Sequence, residues 1–377
     1  MDKNISKLLK DMKTSTTFIE RTDSTWKPWC VYWSPSTGDL LVGMFFYNYY
    51  DYDTPCKMWG KVTRYNYTGQ LTQTLQEDNT GQKMFRHPIC ITENSNGDVV
   101  VSDLDAVVVT ECGGRHRFSY TGHPSGSRLS PRGICTDPLS HILVCDRITS
   151  TVQMIDRNDE DYNINKLSND MKITTTIIEK TESKWEPHCV LWSQSNGDLL
   201  VGMYKEDTNI GKVTRYNQTR ELTQTIEHDD RGLELYSNPT FLAENNNGDI
   251  VVSDDLSAVV VTDREGRHRF SYTGHPSGSG LSPCGICTDA LSHILVCDIR
   301  TNTIQIIDKN GQFLSYLLTK SEEIDEPRSL CYDINTHHLW VGSDNSNKLF
   351  VYRYITQQDN KTGKCDLLSH LSTGLYK

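Results

Sequence analysis

PCGICTDALSHILVCDIRTNTIQIIDKNGQFLSYLL, running from Pro283 to Leu318, decides the fold. After its proline come four short β-prone runs, with residues 293–297, 303–307 and 312–318 following the first. The middle two are apolar almost throughout, so they need other sheets on both faces to bury them. Asp308-Lys-Asn-Gly311 supplies a turn between the last two. Four short strands in a unit of about 44 residues are the signature of a propeller blade, and no long window carries a helical period.

The same unit recurs along the chain. Prolines at Pro28, Pro88, Pro131, Pro187, Pro239, Pro283 and Pro327 each open one, with successive spacings of 60, 43, 56, 52, 44 and 44. Second strands are expected at 39–44, 98–102, 141–145, 198–203, 249–253, 293–297 and 338–342. Third strands are expected at 60–65, 106–110, 151–155, 211–216, 258–262, 303–307 and 348–354. A larger duplication overlies this period. GRHRFSYTGHPSGS stands unchanged at residues 114–127 and 266–279, and residues 11–158 read as a divergent copy of residues 170–310. The first copy carries eight extra residues, which place FFYNYYDYD at 45–53.

These units predict an all-β propeller of seven four-stranded blades spanning residues 1–356, followed by a polar tail at 357–377. The last unit, 326–355, shows only three strands. Residues 15–20 (STTFIE) precede the first unit, and their duplicate at 174–179 (TTTIIE) falls where an outer strand belongs. The N-terminal strand is therefore expected to complete the last blade, which closes the ring and removes two open sheet edges.

Composition bounds the function. The net charge of −11, from 49 acidic and 38 basic residues, disfavours a broad phosphate-binding surface. No apolar run approaches the ~20 residues that span a bilayer, and the N-terminus lacks the apolar core of a signal peptide. A cytoplasmic chain is expected, with neither membrane nor DNA as partner. The twelve cysteines recur mainly at fixed places in apolar strands, which reads as reduced thiols in a core.

The run from Pro283 to Gly311 resembles an NHL repeat. The wider text, from Asn247-Gly-Asp-Ile-Val-Val-Ser-Asp254 through Arg267-His-Arg-Phe-Ser-Tyr-Thr-Gly274 to Tyr352-Arg-Tyr354, resembles the C-terminal propeller of tripartite-motif NHL proteins of the invertebrate type. The resemblance implies substrate recruitment or an adaptor role, with single-stranded RNA binding as the alternative. Family propellers usually have six blades, so six stands as the alternative to the seven counted. The RING, B-box and coiled coil of that family have no counterpart before Trp26, so ligase activity is not expected of this sequence.

Candidate chemistry is sparse. Cys284-Gly-Ile-Cys287 is the one CxxC, but its duplicate has Arg132 in place of Cys284, which favours a structural reading over a redox or zinc site. Asp103, Asp146, Asp254 and Asp298 end second strands. A calcium ring at the axis is conceivable, whereas acceptance of backbone N–H groups in turns is the simpler account. No nucleophile–base set or phosphate loop is spaced for catalysis, and no metal or cofactor is expected. A metal-dependent propeller hydrolase or lyase is the weakest reading. Recognition is the stronger one. The residue after each proline should stand near the channel mouth: Trp29, Ile89, Arg132, His188, Thr240, Cys284 and Arg328. These vary while their surroundings repeat, as on a binding face built over a fixed scaffold. The aromatic insertion, with Phe45, Tyr47, Tyr49 and Tyr50, is expected as a loop on the same face, joined by Arg147 and Arg300. A protein partner is the first expectation and RNA the second.

Overall fold

The computed structural model describes residues 15–19, 26–47, 58–122, 128–155, 173–178, 185–255, 257–277, 280–320, 324–345 and 348–353. They form seven antiparallel sheets of four strands each. The innermost strands of blades 1 to 7 are Lys27–Trp33, Cys90–Glu93, Pro131–Thr136, Glu186–Trp192, Pro239–Glu244, Pro283–Thr288 and Pro327–Asp333. Each adjoins the next, and blade 7 adjoins blade 1, so the sheets form a closed ring. The seven-blade count holds over the six-blade alternative. Six of the sheets are simple meanders. The seventh takes its outer strand from the N-terminus: Ser15–Ile19 pairs antiparallel with Lys348–Arg353. Its duplicate, Ile173–Ile178, is the outer strand of blade 3.

Burial follows from the stacking of sheets. The second and third strands of blade 6, Ile294–Asp298 and Thr303–Ile307, are buried at every residue. Adjacent blades bury one apolar cluster at each boundary. Leu295, Ile304, Leu339 and Phe350 belong to the one between blades 6 and 7, while Leu40, Val42, Trp340 and Leu349 belong to the one between blades 7 and 1. The last boundary is therefore packed like the others.

Two devices set the geometry at the start of each inner strand. First, the ladder shifts just after the proline. Pro28 pairs Met44 and Cys30 pairs Gly43, which leaves Trp29 in a bulge. The same irregularity recurs after Pro131, Pro187, Pro239, Pro283 and Pro327. In blade 2 the strand begins at Cys90, one residue past Ile89. A bulge re-aims a side chain out of the pleat. Second, the aspartates that end second strands tie down the loop entering their own blade. Asp298 accepts the N–H groups of Ser282 and Arg300, the Thr301 hydroxyl and the Gln305 amide. Asp103, Asp146 and Asp254 do the same with Arg86 and His87, Ser130 and Ile148, and Ser237 and Asn238.

The duplicated stretch supplies outer strands, His116–Tyr120 and His268–Tyr272. Tyr120 donates its hydroxyl across the blade boundary to Gln153 at 2.5 Å, and Gln153 donates to Asp146 at 3.2 Å. Tyr272, Gln305 and Asp298 repeat the chain at 2.5 and 3.0 Å. Its identity in both copies thus serves an inter-blade staple.

The insertion differs from expectation. Phe45, Phe46 and Tyr47 are strand, because Leu40–Tyr47 pairs Met58–Tyr65 in unbroken register to Tyr47 opposite Met58. Phe45, Phe46 and Tyr47 extend the second strand rather than open a loop at Phe45. Tyr49 and Tyr50 lie outside the described residues.

Candidate recognition face at the propeller mouth

Because neighbouring strands are antiparallel, the start of each inner strand lies beside the end of the second strand. The residues flanking each proline and the loops between second and third strands therefore share one face. Arg147, from such a loop in blade 3, reaches Glu186 at the entry to blade 4 at 3.1 Å.

On this face the bulge residues meet across blade boundaries. Arg328 of blade 7 lies over the Trp29 ring of blade 1 at 4.4 Å. The same guanidinium faces Asp344 at 3.4 Å and Glu326 at 3.9 Å. His188 of blade 4 contacts Asn238 of blade 5 at 2.9 Å through Nδ1. Glycines permit this closeness: a Cβ on Gly285 would stand 2.7 Å from the Arg328 carbonyl oxygen, and one on Gly133 2.6 Å from the Cys189 Cα. Lys27 is held by Asp344 at 3.2 Å.

An aromatic cluster fills the blade 1 side. Phe45 lies 5.3 Å from Trp29, 5.0 Å from Tyr47 and 4.2 Å from His87. Phe45 is only 1% exposed, so it buttresses the cluster from beneath and is not a contact residue. Trp29 and Tyr47 remain half-buried. Phe46, on the opposite side of the hairpin, stacks on Trp59 at 5.7 Å. His87 is 9% exposed among these rings, and its Nε2 has no hydrogen-bond partner among the described residues. Burial pushes its pKa down to about 4, with Asp344 opposing and Arg132 and Arg328 assisting, so the ring is neutral at pH 7.

The remaining candidates differ in how far they are free. Arg132 is exposed, and its pKa is lowered by partial burial and then by Arg147, against Glu186. Thr240 spends its hydroxyl on the Ser253 carbonyl at 3.2 Å. Ile89 donates its N–H to the Ser102 carbonyl and is half-buried. The Cys284 thiol is pushed up to about 11 by burial, so it is a poor nucleophile near neutral pH. Burial also raises the Cys287 thiol. Arg300 is exposed beside Asp298. Ile148, next to Arg147, is 54% exposed and adds an apolar contact.

Several residues of the face lie one position before a proline: Lys27, His87, Glu186, Asn238 and Glu326. Sequence reading passed over them, although they vary from unit to unit as those after the proline do. Asp103, Asp146, Asp254 and Asp298 are engaged with backbone donors. Among the described residues no three His, Cys, Asp or Glu side chains group as metal ligands.

No family model and no curated protein sequence matches the chain. Solved structures do. A catalytically inactive virginiamycin B lyase from Staphylococcus aureus with quinupristin superposes with a TM-score of 0.64 at 14% identity, covering 90% of this chain and 97% of that one. A streptogramin B lyase matches at 0.64 and 13%, covering 90% and 96%. The β-propeller domain of Cps50 (Swd1) from Myceliophteria thermophila matches at 0.62 and 11%, covering 90% and 98%. The chain is a seven-bladed β-propeller. At these identities the likeness is one of fold, common to enzymes and to a propeller domain of another kind.

Proposed function

We propose that this propeller is a non-catalytic recognition scaffold that binds a protein partner through its mouth face. One observation carries the reading. Seven positions made equivalent by the backbone hold Trp29, Ile89, Arg132, His188, Thr240, Cys284 and Arg328, while the framework around them repeats. A scaffold that keeps its aspartate staples and varies its bulge residues is built to present side chains. Trp29, with Arg328 over it and Tyr47 on the far side of Phe45, offers the aromatic and arginine contacts that dominate protein interfaces. Likeness of the repeats to the NHL type supports a substrate-recruiting or adaptor role like that of tripartite-motif NHL proteins.

Single-stranded RNA is the second reading, favoured by the Trp29 ring beneath Arg328. The net charge of −11 weighs against it. Co-purification from the native cell with the wild type and with Trp29→Ala plus Arg132→Ala tests the face. Partners captured by the wild type are expected to be lost from the double variant. If they are retained, the mouth assignment fails. A panel of short RNAs tests the second reading, since RNA binding weakens by about 10³-fold or more between roughly 50 and 200 mM salt when many phosphates are contacted.

A further inference from the structure

Charge pairing on the mouth face is uneven. Lys27 is matched by Asp344, Arg147 by Glu186, and Arg328 by Asp344 and Glu326 with the Trp29 ring beneath it. Arg132 is different. Its carbonyl accepts the Ser102 hydroxyl at 3.0 Å, but its exposed guanidinium has no hydrogen-bond or ion-pair partner among the described residues. Two imidazoles feel its charge, His87 on the blade 2 side and His188 on the blade 4 side. His87 is the buried ring whose Nε2 lacks a partner among the described residues, and a buried polar nitrogen left so is costly. The unpartnered imidazole of His87 thus stands against the Trp29–Phe45–Tyr47 cluster, and the unpaired guanidinium of Arg132 follows it one blade on around the same face.

We propose that the mouth takes an acidic segment of its protein partner, with an Asp or Glu carboxylate seated on Arg132 between His87 and His188. This rests on the recognition reading above and gives it a ligand class. Guanidinium matches carboxylate by a two-pronged hydrogen bond, and a carboxylate can accept further from an imidazole N–H. The flanking part of the segment would lie toward Trp29 and Tyr47 on one side or Ile148 on the other. A nucleic-acid phosphate would satisfy the same guanidinium. Yet a polyanion meets the field of a chain of charge −11, whereas one carboxylate in a mixed segment meets mainly the local field of Arg132 and Arg147, which Glu186 only partly offsets.

Selection from a random-peptide display library and from a random RNA library, on the wild type, Arg132→Ala and Arg132→Lys, tests this. Peptides selected on the wild type are expected to carry Asp or Glu at one fixed position. Arg132→Ala should lose that preference and bind the selected peptides roughly 10- to 100-fold more weakly, as loss of a charge-assisted pair implies. Arg132→Lys should restore part of the loss. Thermal unfolding confirms that each variant folds, which the exposure of Arg132 favours. Peptides without acidic enrichment that are still lost on Trp29→Ala would overturn the acidic ligand and leave the recognition face standing. Acidic enrichment that survives Arg132→Ala would overturn the seat on Arg132. Enrichment of RNA but not of peptides would overturn this proposal and the protein-binding reading together.

Discussion

Burial moves the His87 and Asp103 side chains in opposite directions at the mouth. The Asp103 carboxylate accepts the His87 backbone N–H at 2.6 Å and that of Arg86 at 2.8 Å, yet burial still raises its pKa to about 6. Burial moves the His87 imidazole the other way, to about 4. With His87, the contribution to stability is whole above the unfolded value of about 6.5 and is lost as pH falls toward 4. With Asp103, it is whole below about 3.8 and is lost as pH rises through 6. Between pH 4 and 6 the two slopes oppose and nearly cancel. His87→Phe keeps a ring against Trp29 and Phe45 while removing one partner of that balance. Relative to wild type, the variant should lose up to about 3 kcal/mol as pH rises from 4 to 6.5, at ~1.4 kcal/mol per pH unit of displaced titration. Urea unfolding at several pH values reads this, and parallel profiles for the two proteins would refute it. His87 was not conspicuous in sequence. Asp103 was legible as a turn aspartate, but its pairing with a histidine one place before Pro88 depends on the loop that brings them together.

In blades 2, 3, 5 and 6 the second strand and the loop that enters the blade behave as one element, because a single carboxylate joins them. Asp298 is fully buried and accepts from Ser282, Arg300, Thr301 and Gln305. Asp298→Ala would leave those donors without an acceptor beside an emptied site, at a cost of about 3 kcal/mol or more. Asp308→Ala is the comparison. That aspartate accepts only Asn310 and Gln312 N–H groups in an outward turn, so about 1 kcal/mol or less is expected. Equal losses in denaturant midpoint would remove the staple from the account. Strand order and blade count were readable because an apolar run of five residues between turns has few other ways to be buried. The insertion was misread as a loop because aromatic residues suit strand and interface alike. What decided between them was the partner segment Met58-Trp59-Gly60, which continues the ladder opposite Phe45, Phe46 and Tyr47. Side-chain period within either segment alone did not hold that information.

Closure is a property of the whole ring, and it depends on five residues at one end of the chain. Blade 7 supplies three strands of its own, and Ser15–Ile19 supplies the fourth through the pairs Ser15–Tyr352, Thr16–Val351, Thr17–Phe350 and Ile19–Leu349. The duplicate strand Ile173–Ile178 completes blade 3 in the same sense, so the copied block begins with the outer strand of whatever blade precedes it. That arrangement explains how a block of three blades can be inserted without opening the ring: each block finishes its predecessor and leaves its own last blade to be finished. Blade 6, the last of the second block, is finished in the same way by the strand that follows it, Phe313–Leu318. Only blade 7 then depends on the N-terminus. Removing residues 1–20 would expose the edge of Lys348–Arg353 while abolishing about four ladder pairings, worth on the order of 2–6 kcal/mol at 0.5–1.5 kcal/mol each. Against a typical domain stability of about 5–15 kcal/mol this is a large share. The truncated protein should melt at markedly lower temperature and self-associate through the open edge, which sedimentation at increasing concentration would record. A synthetic peptide of residues 11–22 added in trans should raise the melting temperature by strand addition. Unchanged melting in the truncated protein would mean that the ring is held shut by the core between blades 7 and 1 alone.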